Sequence, residues 1–276
     1  MDDILDLLES NEKPSFQNEG NSAEKPATEW KPKSDWKPRG EWKPNSNYSG
    51  GTRKPFVSLW NKKDFTPKEI KISELTRKKA FMVVIANKTS LPDNINKLLV
   101  NMSLMLSKAG YTFRCNADKN DVVQLTILNK IKEEGDAAKG DPKFEVYLPW
   151  AKFNEDIEKP TMTYPNEAGY SIAVNMHNTF YDQKESVRAI ISRDVHMSLG
   201  TTGTEAVEFM VIYTECGSES IGQHPDYRKL GNATFYIKLA EKANIPVFNV
   251  KNPESIKRLS EFIKSKQALA EVTGEE

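Results

Sequence analysis

The chain has 276 residues, enough for one good-sized domain with appendages or for two small domains. Its 39 basic and 39 acidic residues cancel, so the overall charge does not predict a polyanionic partner. Two isolated cysteines, Cys115 and Cys216, and three scattered histidines argue against a disulfide framework and a metal site, and no cofactor is predicted. The acidic start of the chain and the absence of a long apolar run predict a cytoplasmic protein that does not enter membranes.

Residues 1–24 form an acidic segment with seven acidic side chains and one lysine. Near its start, Ile4, Leu5, Leu7 and Leu8 lie among acids in an amphipathic pattern too short for a stable isolated helix. Such a pattern is typical of a docking peptide that folds in the groove of a protein partner, and equally of a frayed acidic terminus. In the first interpretation the partner is a polymerase or a recombinase.

Residues 25–79 have the opposite balance, with fifteen Lys or Arg against six acids. Within them the unit acid-Trp-Lys-Pro occurs three times, at 29–32, 35–38 and 41–44, and a looser aromatic and basic cluster follows. Four of the five tryptophans of the chain lie here, in a stretch too rich in Pro, Gly, Ser and charge to bury them. We therefore predict a disordered or extended arm.

Exposed tryptophans interleaved with lysines are typical of single-stranded nucleic acid binding, because bases stack on the rings while cations meet phosphates. Two other interpretations stay open: the rings anchor the arm to a protein partner, or they pack back onto the globular domain. The acid before each tryptophan weakens the nucleic-acid interpretation, since it lowers the local positive charge. The residues predicted to bind nucleic acid, with DNA favoured over RNA, are Trp30, Lys31, Trp36, Lys37, Trp42, Lys43, Arg53, Lys54, Trp60, Lys62 and Lys63.

Residues 80–252 are predicted to form an α/β domain, followed by a helix and tail at 253–276. Short apolar runs rich in β-branched residues predict strands at 80–86, 111–115, 143–148, 206–214 and 247–250. Apolar residues at helical spacing predict helices at 95–109, 122–134, 167–177, 184–199, 233–243 and 253–270. The alternation predicts a Rossmann-like three-layer fold, with about five parallel strands and helices on both faces.

Ligands of such sheets bind at the carboxyl ends of the strands, which directs attention to the loop that follows the strand at 206–214. The candidate cleft residues are Arg114, Asn116, Asp118, Arg193, Thr214, Gly231 and Asn232. An arginine at a strand end can bind phosphate bidentately, but the adjacent Asp194 favours a structural ion pair for Arg193. His177 has no triad partner, which favours a structural role, and Cys216 has no recognisable activating base.

Several short segments resemble, in order and spacing, a phage-borne branch of the DprA and lysine-decarboxylase-like (LOG) superfamily of Rossmann-like proteins. The likeness spans roughly residues 80–250 and excludes the arm and the last helix. The segments are 109–114, 146–154, 192–195, 199–200, 209–214 and 245–249.

This chain departs from the family at its two glycine motifs. Where the family has Gly-Gly-Ala-x-Gly-Ala-Asp after the arginine of the second strand, residues 115–121 contain no glycine. Where it has Gly-Gly-Thr-Gly, only Gly231 remains, within 230–234. Without glycine the backbone cannot easily accept positive φ or a closely bound phosphate, so the resemblance implies a degraded nucleotide pocket.

Two hypotheses follow. In the first, the chain is a non-enzymatic protein that binds single-stranded DNA and recruits a polymerase or recombinase, in a host cytoplasm if it is phage-encoded. DprA proteins, which the domain resembles, bind single-stranded DNA and recruit a recombinase, so the resemblance implies the same kind of function. In the second, the chain is a LOG-like protein that binds or cleaves a nucleotide derivative. The oligomeric state is not predicted.

Overall fold

The computed structural model describes residues 66–86, 91–134, 143–153, 160–223 and 230–273. Within these ranges one all-parallel sheet has the order β3-β2-β1-β4-β5. Its strands are β1 (Thr76–Ile85), β2 (Thr112–Cys115), β3 (Phe144–Val146), β4 (Glu205–Tyr213) and β5 (Val247–Asn249). The α-helices in the same ranges are α1 (Asp93–Lys108), α2 (Val122–Glu134), α3 (Glu167–Met176), α4 (Glu185–Leu199), α5 (Ala233–Ala243) and α6 (Pro253–Thr273). The predicted Rossmann-like α/β fold is confirmed.

The first strand is longer than its apolar run predicts. β1 begins at Thr76, four residues before the predicted start at Ala80. Its first residues are polar, and they are held by backbone pairing with β4, in which Thr76 lies opposite Glu205 and Lys78 opposite Val207. A register shift then separates this polar stretch from the buried part of the strand. Apolar patterning therefore could not mark this start, because the polar side chains that begin β1 stay largely exposed.

Aromatic residues hold the central three strands together on one face of the sheet. Phe81 of β1 lies opposite Phe113 of β2 and Phe209 of β4. Its ring centroid is 5.3 Å from that of Phe113 and 6.0 Å from that of Phe209, and all three side chains are fully buried. Apolar residues of α1, α2 and α6 cover this face. Such contacts favour folding both by burying area and by aromatic packing.

The opposite face is covered by α4 and α5, and α3 packs against these two helices. Met82 of β1 contacts the hydroxyl of Ser198 on α4, and α5 packs against α4 and β4. The chain thus leaves β1 for a helix on one face and leaves β4 for a helix on the other. Since β1 and β4 are neighbours, their carboxyl ends form the point at which the direction of the crossovers reverses.

Candidate functional site

The carboxyl ends of β1, β2, β4 and β5 bring most of the predicted cleft residues to one edge of the sheet. In a parallel sheet of this order, the crevice between β1 and β4 is the usual place for a ligand. Gly231 has a φ of 54° and leads into α5, and the next residue, Asn232, donates a hydrogen bond from Nδ2 to the carbonyl oxygen of Ile85 at 3.2 Å. The loop after β4 is thereby tied to the end of β1.

The turn after β2 satisfies its own polar groups. Asn116 accepts a hydrogen bond from the backbone N–H of Asp118 at 2.8 Å, and its own N–H donates to Gln124 Oε1 at 3.0 Å. Gln124 in turn donates to the carbonyl oxygen of Val83, at 2.8 Å. Ala117, between Asn116 and Asp118, has a φ of 48°, a conformation that favours glycine. The turn thus places a non-glycine residue at positive φ, and the side chains of Asn116 and Gln124 beside it are engaged within the protein.

Arg193 and Asp194 form a buried ion pair on α4. Nε and Nη2 of Arg193 lie 2.9 and 2.6 Å from Asp194 Oδ1, and the Tyr236 hydroxyl of α5 also hydrogen-bonds to this carboxylate. Burial raises the pKa of Asp194, against the opposing effect of Arg193. Asp118 acts electrostatically on Arg193, so the turn after β2 and helix α4 face one another. The geometry is that of the structural ion pair favoured from the sequence.

One nitrogen of the Arg193 side chain is not part of this hydrogen-bond network. Nη1 of Arg193 is buried and has no hydrogen-bond partner within the part of the chain that the structure describes. Buried guanidinium nitrogens are normally satisfied, so Arg193 Nη1 is an exception in the described part of the chain, as is the buried Nη2 of Arg114.

A second network joins the loops after β4 and β5. Thr214 Oγ1 accepts a hydrogen bond from Asn249 Nδ2 at 2.7 Å, and the same Nδ2 group donates to the carbonyl oxygen of Ser218 at 2.9 Å. Cys216 is exposed, and its Sγ lies 3.2 Å from Ser218 Oγ. Partial burial opposes thiolate formation, but hydrogen bonds with the Ser218 and Thr214 side chains lower the pKa of Cys216 overall.

Glu219 anchors this second network to the last helix. Its Oε1 accepts from the backbone N–H of Asn249 at 3.0 Å and contacts the Ser255 hydroxyl, while its Oε2 pairs with Arg258. The loop after β4 is therefore bonded both to the end of β5 and to α6. Its polar groups serve mainly to hold protein segments in place.

Arg114 does not join the other cleft residues. Its side chain is fully buried, with Nε 2.7 Å from Glu145 Oε2 and Nη1 donating to the carbonyl oxygen of Glu205 at 2.8 Å. Glu205 is the first residue of β4, so the guanidinium extends toward the amino-terminal edge of the sheet, away from the crevice. Lys78 also pairs with Glu145, and the Tyr147 hydroxyl donates to it at 2.7 Å. The sequence could not show the direction of the Arg114 side chain, because that direction depends on the register between β2 and β3.

Three polar residues of the carboxyl edge were missed from the sequence: Ser218, Tyr236 and Asn249. Only Asn249 had a usable signal, since it is the polar residue that ends the short apolar strand β5. Tyr236 lies at an ordinary buried helix position, and Ser218 lies in a loop without a recognisable motif.

The predicted nucleic-acid-binding residues, Trp30 to Lys63, and the predicted docking residues, Ile4 to Leu8, lie outside the described residues. Among the residues that are described, no cluster of three or more His, Cys, Asp or Glu side chains could hold a metal ion. Within the same ranges, none of the helices combines the length and apolar character needed to cross a bilayer.

Comparison with protein-family models, with curated proteins and with solved structures finds no match. The likeness to the DprA and LOG superfamily therefore stays a prediction from short motifs. The fold and the two polar networks do not depend on that likeness.

Proposed function

We propose that the chain is a non-enzymatic accessory protein that binds single-stranded DNA and recruits a polymerase or a recombinase. The observation that supports this most is the threefold acid-Trp-Lys-Pro unit at residues 29–44. A stacked base contributes about 1–3 kcal/mol per aromatic ring, so three units spaced six residues apart supply ample affinity. The prolines limit the conformational entropy that the arm loses on binding.

The folded domain supports this proposal because the polar residues at the carboxyl edge of its sheet bond to other protein groups. Asn116, Asp194, Thr214 and Asn249 are engaged with other protein groups there. Such an edge suits a stable scaffold that positions an arm. The acidic segment around Ile4 to Leu8 then supplies the contact with the protein partner, as a short amphipathic peptide does in a groove.

The test is binding of a labelled oligo-dT to the full chain, followed by fluorescence anisotropy. Replacing Trp30, Trp36 and Trp42 with Ala removes three rings, and we expect affinity to fall at least about a hundredfold, since each lost stack costs about 1 kcal/mol or more. The matched control replaces the same residues with Phe, which keeps a ring and retains most of the affinity. Equal affinity of the Ala variant and the wild type would exclude stacking by these rings.

A second candidate is a protein that binds or cleaves a nucleotide derivative, as in the LOG-like hypothesis. It is favoured by the strand order and by Asn232, which lies at the β1–β4 crevice where nucleotides bind in such sheets. In this case a mononucleotide or ADP-ribose raises the melting temperature of the full chain. Asn232→Ala then reduces the shift, whereas Asn175→Ala on α3 leaves it unchanged. No shift at millimolar ligand excludes this candidate.

A further inference from the structure

Two lysines meet above Gly110, at the amino-terminal edge of the sheet. Gly110 has a φ of 90° and lies between α1 and β2. A Cβ atom built on it would lie 3.3 Å from Nζ of Lys143 and 3.4 Å from Nζ of Lys79. Because both ammonium nitrogens lie within 3.4 Å of the same Cβ position, the distance between them is at most about the sum of these two distances.

Neither ammonium group has an ion-pair partner in the described part of the chain. Within the described residues, Lys79 and Lys143 have no carboxylate oxygen within 4.0 Å, whereas their neighbours Lys78 and Lys108 pair with Glu145 and Glu134. The hydrogen bond that the Lys143 ammonium donates within these residues is to the carbonyl oxygen of Gly110, at 3.4 Å. Two like charges at this spacing repel one another, and an anion between them removes the repulsion.

The competing explanation is that the two lysines serve the carboxyl end of α1. Carbonyl oxygens at a helix end attract cations, and the Lys79 ammonium also lies 5.5 Å from the centre of the Tyr111 ring. These contacts account well for one cation. They do not account for the second, which adds repulsion while its one hydrogen bond is at the limit of useful length.

We propose that Lys79 and Lys143 bind a backbone phosphate of the single-stranded nucleic acid that the arm holds. This inference rests on the proposed function. Two charge-assisted hydrogen bonds of about 2.8 Å each, placed on different oxygens of one phosphate, span the gap between the ammonium groups. Lys79 is the last residue of the basic segment 25–79, so the arm and this site are continuous along the chain.

The experiment titrates labelled oligo-dT with the full-length chain over a series of salt concentrations. The test variant combines Lys79→Gln with Lys143→Gln. The matched control combines Lys257→Gln with Lys264→Gln, two exposed lysines of α6, and so makes the same change in net charge. Each phosphate contact of a single strand contributes about 0.7 to the slope of log affinity against log salt. Relative to about 1 M salt, one such contact therefore raises the affinity about eightfold at roughly 50 mM salt.

We expect the test variant to bind oligo-dT about eightfold more weakly at roughly 50 mM salt and to have a salt slope smaller by about 0.7. The control variant should stay close to the wild type in both. The variant Lys79→Arg with Lys143→Arg keeps both charges and should retain the affinity. A test variant that is less heat-stable but matches the control in affinity and slope would overturn the inference and leave the lysines as helix-end cations. A rise in melting temperature with low-millimolar inorganic phosphate that the test variant loses, with no change in oligonucleotide affinity between wild type and test variant, would also overturn it, by assigning the pair to a free anion. If the wild type itself does not bind, the proposed function fails, and this inference with it.

Discussion

Asn232 Nδ2 donates a hydrogen bond to the carbonyl oxygen of Ile85 across the central crevice, at 3.2 Å. This contact joins the loop after β4 to the end of β1. Removing it leaves a partly buried carbonyl group without this partner. We expect Asn232→Ala to lower the free energy of unfolding by about 1 kcal/mol in urea denaturation.

The control for that change is Asn175→Ala. Asn175 is exposed on α3 and lies at 3.5 Å from the carbonyl oxygen of Lys68, at the limit of a hydrogen bond. We expect this variant to stay within about 0.5 kcal/mol of the wild type. Equal losses in the two variants would show that the contact between Asn232 and Ile85 contributes nothing particular.

Gly169 allows α3 to approach α4 closely. A Cβ atom at this position would lie 2.3 Å from His196 Nε2 and 2.9 Å from the carbonyl oxygen of Ser192. Gly169→Ala therefore forces the helices apart, and we expect a loss of about 2–3 kcal/mol. Gly222→Ala is the matched control, because nothing lies within 4 Å of its Cβ position. A melting temperature of Gly169→Ala equal to that of the control would contradict this packing.

We expect His196 to make the stability of the fold sensitive to acid. Nδ1 lies 2.8 Å from the carbonyl oxygen of Gly200, and Nε2 accepts from the backbone N–H of Asn166 at 3.3 Å, which fits a neutral ring with its proton on Nδ1. Burial lowers the pKa of His196, although both backbone contacts oppose the shift.

The lowered pKa sets the sign of the effect on stability. Below about pH 6.5 the unfolded chain binds a proton at this ring that the folded chain does not bind. We expect the stability contributed by His196 to be complete above that pH and to fall by up to about 1.4 kcal/mol per pH unit below it, until the folded pKa is reached. Urea denaturation at a series of pH values measures the slope. An identical slope in His196→Gln would contradict the assignment.

Arg114 is expected to stabilise the fold without touching a ligand. Arg114→Leu removes the buried partner of Glu145, and we expect a loss of about 3 kcal/mol, reduced somewhat by the remaining Lys78. Lys108→Ala breaks the exposed pair with Glu134 and should cost less than about 1 kcal/mol. Oligo-dT affinity, measured where both variants are folded, should equal that of the wild type. A selective loss of affinity in Arg114→Leu would return this residue to the binding site.

The elements that the sequence predicts well are those whose apolar pattern matches their burial. The helix predicted at 122–134 has the observed bounds of α2, and the helix predicted at 233–243 has those of α5. The start of β1 was missed because Thr76 to Lys78 pair through the backbone while their side chains stay largely exposed. Periodicity reports side-chain burial, and it cannot report pairing without burial.

The candidate site was predictable only in part, for a related reason. Strand ends placed Asn116, Asp118 and Thr214 at the carboxyl edge, since position along a strand is visible in the sequence. The direction of the Arg114 side chain was not visible, because it is set by Glu145 on β3 and by the carbonyl oxygen of Glu205 on β4. Long-range partners of this kind depend on register, which a single sequence does not contain.

The most direct measurement of the central claim is the intrinsic tryptophan fluorescence of the full chain during titration with unlabelled oligo-dT. Four of the five tryptophans, at positions 30, 36, 42 and 60, lie in the proposed binding segment, so stacking should quench most of the emission. The affinity should fall steeply as salt is raised from about 50 to 200 mM, because phosphate contacts release counterions. Unchanged emission at about 50 mM salt with micromolar oligonucleotide would contradict the claim that this chain binds single-stranded DNA through its tryptophans.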